Sequence, residues 1–239
     1  MNALAKLAHD RLYPSLTDPS YLTLRSRRLI FASWALHFQG KHLKVLDIGG
    51  RYQPYRPLFN GSIDRYFAVD LVRTDAVSVV ANAETLPFKP ASFDLAIATQ
   101  VFDYFHDPRG TAKQIHAALK PGGTLLASFP ACTPRMVDEE RWRFTSSGLR
   151  SVLEPFSTVE IVPELYSVGG LVRTVNLALD TFVRYQTARR IYRMTVCPVL
   201  NLLGFGLERL RLTSNDQFTT NYSVRAVKAE LPRAEQSES

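Results

Sequence analysis

Lys44-Val45-Leu46-Asp47-Ile48-Gly49-Gly50 is an apolar run of strand length that ends on a carboxylate and a glycine pair. Such near-continuous apolar runs are typical of parallel strands buried on both faces. The glycines free the backbone to turn and to come close to a ligand. A second run, Phe67-Ala68-Val69-Asp70-Leu71, carries its carboxylate about 20 residues further on, where a nucleotide-binding α/β fold places the acid that grips ribose hydroxyls. An aspartate at the carboxyl end of a strand can accept two hydrogen bonds from vicinal hydroxyls, so it selects a sugar and disfavours a phosphate there. Together the two runs predict a nucleoside ligand.

The elements around these runs follow the same grammar. Thr17-Asp18-Pro19 predicts a helix start, with apolar residues at helical spacing through Tyr21, Leu24, Leu29, Ile30, Trp34 and Phe38 and a stop at Gly40. Strands are expected over 44–48, 66–71, 77–81, 93–99, 123–129, 158–162 and 222–227. Asp107-Pro108 opens a helix that ends at Lys120-Pro121-Gly122-Gly123, and 144–153 is helical with Thr145 or Ser146 as cap. Strands alternating with helices predict an α/β fold, a doubly wound, seven-stranded, mainly parallel sheet. Ligands of such sheets sit outside the carboxyl ends of the strands.

The chain has 239 residues, 46% apolar and 21% charged, which suits one α/β domain with an elaboration. Its two cysteines, Cys132 and Cys197, have no metal-ligand spacing, so neither a disulfide framework nor a metal site is expected. Residues 1–13 lack an apolar leader segment, and a cytoplasmic location is the expectation. The net charge of +7 is uneven: residues 165–212 hold seven arginines against Asp180 and Glu208, a net +5.

The ordered set Val45-Leu46-Asp47-Ile48-Gly49-Gly50, Val69-Asp70-Leu71, Asn82-Ala83-Glu84-Thr85-Leu86-Pro87-Phe88, Phe93-Asp94-Leu95 and Leu119-Lys120-Pro121-Gly122-Gly123 resembles the class I S-adenosylmethionine (SAM)-dependent methyltransferases, closest to the type 11, glycan and small-molecule branch. The resemblance covers roughly residues 43–130 and the seventh strand. It implies SAM as cofactor, with Asp47, Gly49 and Gly50 at its amino-acid end, Asp70 on the ribose and Leu71 against the adenine. It further implies Asn82 and Ala83 at the adenine edge and Thr99 and Gln100 at the methionine end. The family usually has three glycines at alternate positions after the first acid. Here Arg51 and Gln53 replace the second and third, so Arg51 or Tyr55 is expected to hold the cofactor's carboxylate. The segment Glu140-Arg141-Trp142-Arg143-Phe144-Thr145 more weakly resembles type 11 proteins of surface-polysaccharide pathways.

His106, and after it Asp103, are candidate general bases; the plain alternative is loop packing. Trp142 and Arg143 could close over a substrate, or Trp142 could simply anchor its loop to the core. Arg25, Arg27 and Arg28 are expected on a solvated helix face. The organisation expected is a helical cap (1–42), a methyltransferase core (43–163 and 221–231), a helical insertion of two or three helices (164–220) and a disordered tail (232–239). Arginines mixed with an apolar face in 165–212 fit peripheral contact with an anionic membrane on the inner face, or a lid; nucleic acid is not expected. The function expected is methyl transfer from SAM to oxygen of a small molecule, sugar or lipid-linked glycan. The alternatives are carbon methylation of a quinone or lipid, and a methyltransferase-like protein that binds a membrane or partner without turnover.

Overall fold

Strict alternation along the apolar strands decides which helix covers which face. In the computed structural model, which describes residues 3–210 and 214–230, β1 (Leu43–Ile48) sends Val45 to one face and Leu46 and Ile48 to the other. The first face meets Phe31, Trp34 and Phe38 of α2 (Tyr21–Ala35) and the turn after it. The second face meets Ile115 of α3 (Pro108–Ala118) and Leu149 of α4 (Ser146–Val152). A sheet apolar on both sides and clad by helices on both sides is the doubly wound arrangement.

The remaining strands are β2 (Ile63–Asp70), β3 (Val79–Val80), β4 (Phe93–Thr99), β5 (Leu119–Pro130), β6 (Thr158–Pro163) and β7 (Asn221–Val227). They line up in the order β3-β2-β1-β4-β5-β7-β6, with β7 antiparallel to both neighbours and the rest parallel. In-register pairs such as Asp47↔Ala68 and Asp47↔Ile97 bring the carboxyl ends of β1, β2 and β4 to one edge.

Two helices complete the N-terminal part, α1 (Ala3–Leu12) and α2. The second starts at Tyr21, later than expected, because the Asp18 carboxylate closes a turn onto the Ser20 amide at 2.7 Å before the helix begins. Between β6 and β7 the insertion forms a hairpin of only two helices, α5 (Ser167–Phe182) and α6 (Gln186–Arg209). Of the two or three helices expected, the structure has two, and Pro198 lies inside α6 without ending it. Cys197 and Asn201 anchor the helix on either side of the proline, and the Asn201 amide donates to the carbonyls of Leu16 (2.8 Å) and Asp18 (2.9 Å). Inside the hairpin, Asn176 donates to Asn201 at 3.0 Å, and Arg193 grips Asp180 through two bonds of 2.6 and 2.8 Å. Expected features at 211–212 and in the 232–239 tail lie outside the described residues.

The three arginines expected on a solvated face of α2 divide. Arg25 stacks over Phe205 and Arg28 over Tyr13, but Arg27 is buried and bonds Glu164 through Nε (2.7 Å) and Nη2 (2.9 Å). Thr23, Arg27, Phe31 and Trp34 recur at helical spacing and form the buried stripe of α2.

Candidate functional site

The carboxyl ends of β1, β2 and β4 open into a cleft of about 690 Å³, roofed by α1 and the start of α2 and closed at one end by α5. Its volume is that of a site for a nucleoside-sized ligand. Gly49, Arg51, Tyr55, Asp70, Leu71, Asn82, Ala83, Thr99, Gln100 and His106 line it. Asp47, Gly50, Asp103, Trp142 and Arg143 do not.

The first loop shows how this sequence manages without the usual glycines. Gly49 takes φ +71°, and a Cβ on it would sit 3.2 Å from Val101 Cγ2. On Gly50 a Cβ would stand 2.8 Å from both the carboxyl carbon and the backbone oxygen of Asp47. Gln53 holds φ +51°, a conformation that glycine usually supplies. It is pinned there by Nε2 donating to Ala76 O at 2.6 Å and by Arg56 donating to its Oε1 at 2.9 Å. The side-chain bonds thus stabilise a backbone state that the residue itself disfavours. Because the backbone oxygen of Asp47 cannot move aside, Gly50→Ala is expected to destabilise the fold by about 1–3 kcal/mol, read from urea unfolding.

Asp47 lies under the cleft floor, 4% exposed, and accepts the Tyr66 hydroxyl at 2.6 Å. Burial pushes its carboxyl up to about 7; the Tyr66 hydrogen bond opposes this and the nearby Asp70 adds to it. The unfolded chain ionises this group near 3.8. Between about pH 4 and pH 7 the folded form therefore holds a proton that the unfolded form has lost, and stability from this group falls as pH rises through that window. Asp47→Asn is expected to flatten the loss of melting temperature between pH 5 and pH 8, measured by calorimetry on both proteins.

Asp70 closes β2. Its Oδ1 caps the turn by accepting Val72 N–H at 2.9 Å, and its Oδ2 faces Arg51 Nε at 3.9 Å, too far for a hydrogen bond. The carboxylate is poised at the cleft with one oxygen spare, and Leu71 stands exposed beside it. Asn82 uses its Oδ1 to cap the following turn at Glu84 N–H (2.9 Å), which leaves its Nδ2 as the group for a ligand. Tyr52 lies between two guanidiniums, Arg11 at 4.6 Å and Arg51 at 4.9 Å from its ring centre. Tyr55, by contrast, is buried against Phe31 and engaged with Arg27.

At the far side of the cleft, Gln100 ends β4 at φ +51°. Its backbone and side-chain nitrogens both donate to Ser128, to O at 3.0 Å and to Oγ at 3.2 Å, and its amide meets that of Asn221. His106 stands at the cleft mouth with a side chain 72% exposed, its Nδ1 3.2 Å from Glu84 Oε2. Glu84 Oε1 also accepts the amides of His106 and Asp107, each at 3.0 Å, so the carboxylate fixes both loop and ring. The backbone amides, above all that of Asp107, hold the Glu84 carboxyl below its usual range.

Asp103 is buried behind the wall, with one carboxylate oxygen lacking a partner; burial raises its pKa to about 6. Trp142 donates its indole N–H to Phe105 O at 2.8 Å. Arg143 spends its donors on the carbonyls of Thr133, Pro134 and Trp142 and on Glu140, holding its own loop together. Sequence reasoning did not find Arg11, Tyr52, Arg27, Arg173 and Asn221 as part of this site. For Arg27 the signal was present in its place on the buried stripe of α2, and for Tyr52 in its place beside Arg51; contacts distant in sequence bring in the others.

The donor set fits SAM. A charged acceptor with a free oxygen ends β2, an exposed leucine follows it, and Gly49 and Arg51 line the cleft beyond β1, the Gly49 and Gly50 amides being bonded to Val69 O at 2.8 and 3.2 Å. Among the described residues, no group of three His, Cys, Asp or Glu could hold a metal ion.

Comparison with known proteins agrees with this geometry. Residues 57–127 match the family model described as a methyltransferase domain. A zebrafish (Danio rerio) protein named arginine-hydroxylase NDUFAF5, mitochondrial, is 26% identical over 145 residues, covering 53% of this chain and 44% of the relative. The match thus spans less than half of that protein. Among solved structures, a Galdieria sulphuraria protein provisionally named a sarcosine dimethylglycine methyltransferase superposes with a TM-score of 0.54 at 12% identity, over 87% of this chain and 88% of that one. The [4+2]-cyclase SpnF superposes with a TM-score of 0.52 at 16% identity, over 86% and 81%. The chain thus has the class I SAM-dependent methyltransferase fold, with a methyltransferase-domain match over residues 57–127.

Proposed function

We propose that the chain transfers a methyl group from SAM to an oxygen of a small-molecule, sugar or lipid-linked glycan acceptor. The observation that carries this reading is the free Asp70 carboxylate at the edge of a cleft large enough for cofactor and acceptor together. Asp70 accepts the ribose hydroxyls, Leu71 covers one face of the base and Asn82 donates at its edge. Arg51 holds the amino-acid end, which lies against the Gly49 turn. SAM supplies the methyl group on a sulfonium leaving group, so positioning can provide much of the rate. His106 takes the acceptor's proton: with Nδ1–H directed to Glu84, Nε2 carries the lone pair.

The acceptor class is supported by a second observation. The outer face of the α5–α6 hairpin exposes Leu171, Val175, Leu179 and Phe182 as one stripe, and Ile191, Met194, Val199 and Leu202 as another. At its tip Phe182 is 77% and Tyr185 80% exposed. From residue 181 to 207 the chain has four arginines and no acid. No helix among the described residues is long and apolar enough to cross a membrane. An apolar face with a basic, aromatic tip suits the surface of an anionic bilayer, where a lipid-linked acceptor would lie.

The test of the reaction is incubation with trideuteromethyl-SAM and separate aqueous and lipid extracts, followed by mass spectrometry. A product carrying the heavy methyl group on oxygen supports the reading; the relatives' names, a hydroxylase and a cyclase, make turnover of the methyl donor the decisive readout. Sedimentation with phosphatidylglycerol vesicles tests the membrane part. The double variant Phe182→Ser/Tyr185→Ser is expected to stay in solution, and equal sedimentation of variant and parent contradicts that part.

A further inference from the structure

Arg173 of α5 is 7% exposed and lines the cleft. One hydrogen bond holds it: Nη1 donates to Thr133 Oγ1 at 2.8 Å. Its Nε is buried without a partner. Among the described residues no carboxylate lies within 4.0 Å of the guanidinium.

The surrounding charges do not neutralise it. Glu164 is occupied by Arg27 in a two-point bond and also accepts Ser223 Oγ at 2.9 Å. Asp18, the other carboxylate in range, is partly buried, and burial raises its pKa. Burial first, and then the repulsion of Arg27, pull the Arg173 pKa down to about 10. A buried cation with no counter-charge is costly to maintain, and a guanidinium with a free edge is shaped for two oxygens of an oxyanion. Thr133 fixes one nitrogen and so orients the others.

The position tells which ligand would bring the oxyanion. Thr133 follows β5, which lies three strands from β2 in the sheet, roughly 14 Å at ordinary strand spacing. The ribose acid and the Gly49 turn are at the β2 and β1 ends. Arg27 lies near enough to repel the Arg173 charge, and both line the cleft together with Thr23 and Asn221.

We infer that Arg173 is the anion subsite of this cleft and takes a carboxylate or phosphate group of the acceptor. The inference rests on the methyl-transfer reading only in assigning that anion to the acceptor rather than to the cofactor.

The experiment is calorimetric titration of the full chain, alone and saturated with S-adenosylhomocysteine (SAH), using benzoate, phenyl phosphate and the neutral isostere benzamide. The wild-type chain is expected to bind one of the two anions about tenfold or more tightly than benzamide, the scale of one charge-assisted hydrogen bond. Preference for benzoate identifies a carboxylate site, and preference for phenyl phosphate a phosphate site. Arg173→Met is expected to abolish the preference, while Arg173→Lys retains part of it, with SAH affinity in both within threefold of wild type. Three results overturn the inference: no anion preference in the wild-type chain, a preference that survives in Arg173→Met, or a loss of SAH affinity in that variant. The first of these needs no variant, so a poorly folded Arg173→Met leaves the test intact. Failure of SAH to bind with the anion preference present refutes the methyl-transfer reading and supports the subsite on its own.

Discussion

Asp70→Ala is expected to weaken SAH binding about 100-fold, with the fold retained. The carboxylate ends β2 with Oδ2 free of any hydrogen bond and Arg51 Nε at 3.9 Å. Two vicinal hydroxyls would each donate to a charged acceptor, and such bonds contribute about 1.5–3 kcal/mol each. Water replaces part of that in the variant, leaving a loss of about 3 kcal/mol, or two orders of magnitude. Asp70→Asn keeps an acceptor for Val72 N–H and for one hydroxyl, so a loss of about tenfold is expected there. Calorimetry with SAH gives the affinities, and a thermal melt of each variant separates loss of the site from loss of the turn. Unchanged affinity in Asp70→Ala would remove Asp70 from the site.

The second large effect falls on the fold beneath the acceptor end. Arg27 and Glu164 are both buried and bound at 2.7 and 2.9 Å. Burial works against the Arg27 charge, and Glu164 beside it more than restores it, holding its pKa above the usual arginine range. Taking away one partner strands the other charge, which typically costs 3–5 kcal/mol. Glu164→Gln is therefore expected to lose about 3–5 kcal/mol in urea unfolding with an unchanged slope, a lowering of the melting temperature of about 10 °C for a chain of this size. The double replacement Arg27→Met/Glu164→Leu is expected to recover most of that loss, because it leaves no unpaired charge in the interior. Equal stability of Glu164→Gln and the parent would show that the pair is solvated and carries no structural weight.

The legible part of this protein was the part written in local pattern. The strand expected over 93–99 is Phe93–Thr99, and Thr145 caps α4 by accepting Gly148 N–H at 3.1 Å. The two strand-end acids and the glycine turn were visible because near-continuous apolar runs and the carboxylates that end them are close in sequence. Local pattern left two or three helices open in the insertion because a proline inside a helix usually breaks it, and the Asn201 anchor to residues 16 and 18 lets α6 run through Pro198. Arg27 was misplaced because charge was weighed above its position on the buried stripe of α2. Arg173 carried no local signal: it is brought to the cleft by α5, and its bond to Thr133, in the loop after β5, spans 40 residues of chain. The sequence showed Arg51 and Gln53 where the family usually has glycines, but not that Gln53 takes a left-handed backbone, pinned by bonds to Ala76 and Arg56.

The central claim is that this cleft binds SAM, and calorimetric titration of the full chain with SAM and with SAH tests it most directly. One-to-one binding with a dissociation constant of micromolar order, tighter for SAH, is the predicted result. No detectable heat with either, from a chain that melts cooperatively, would contradict it.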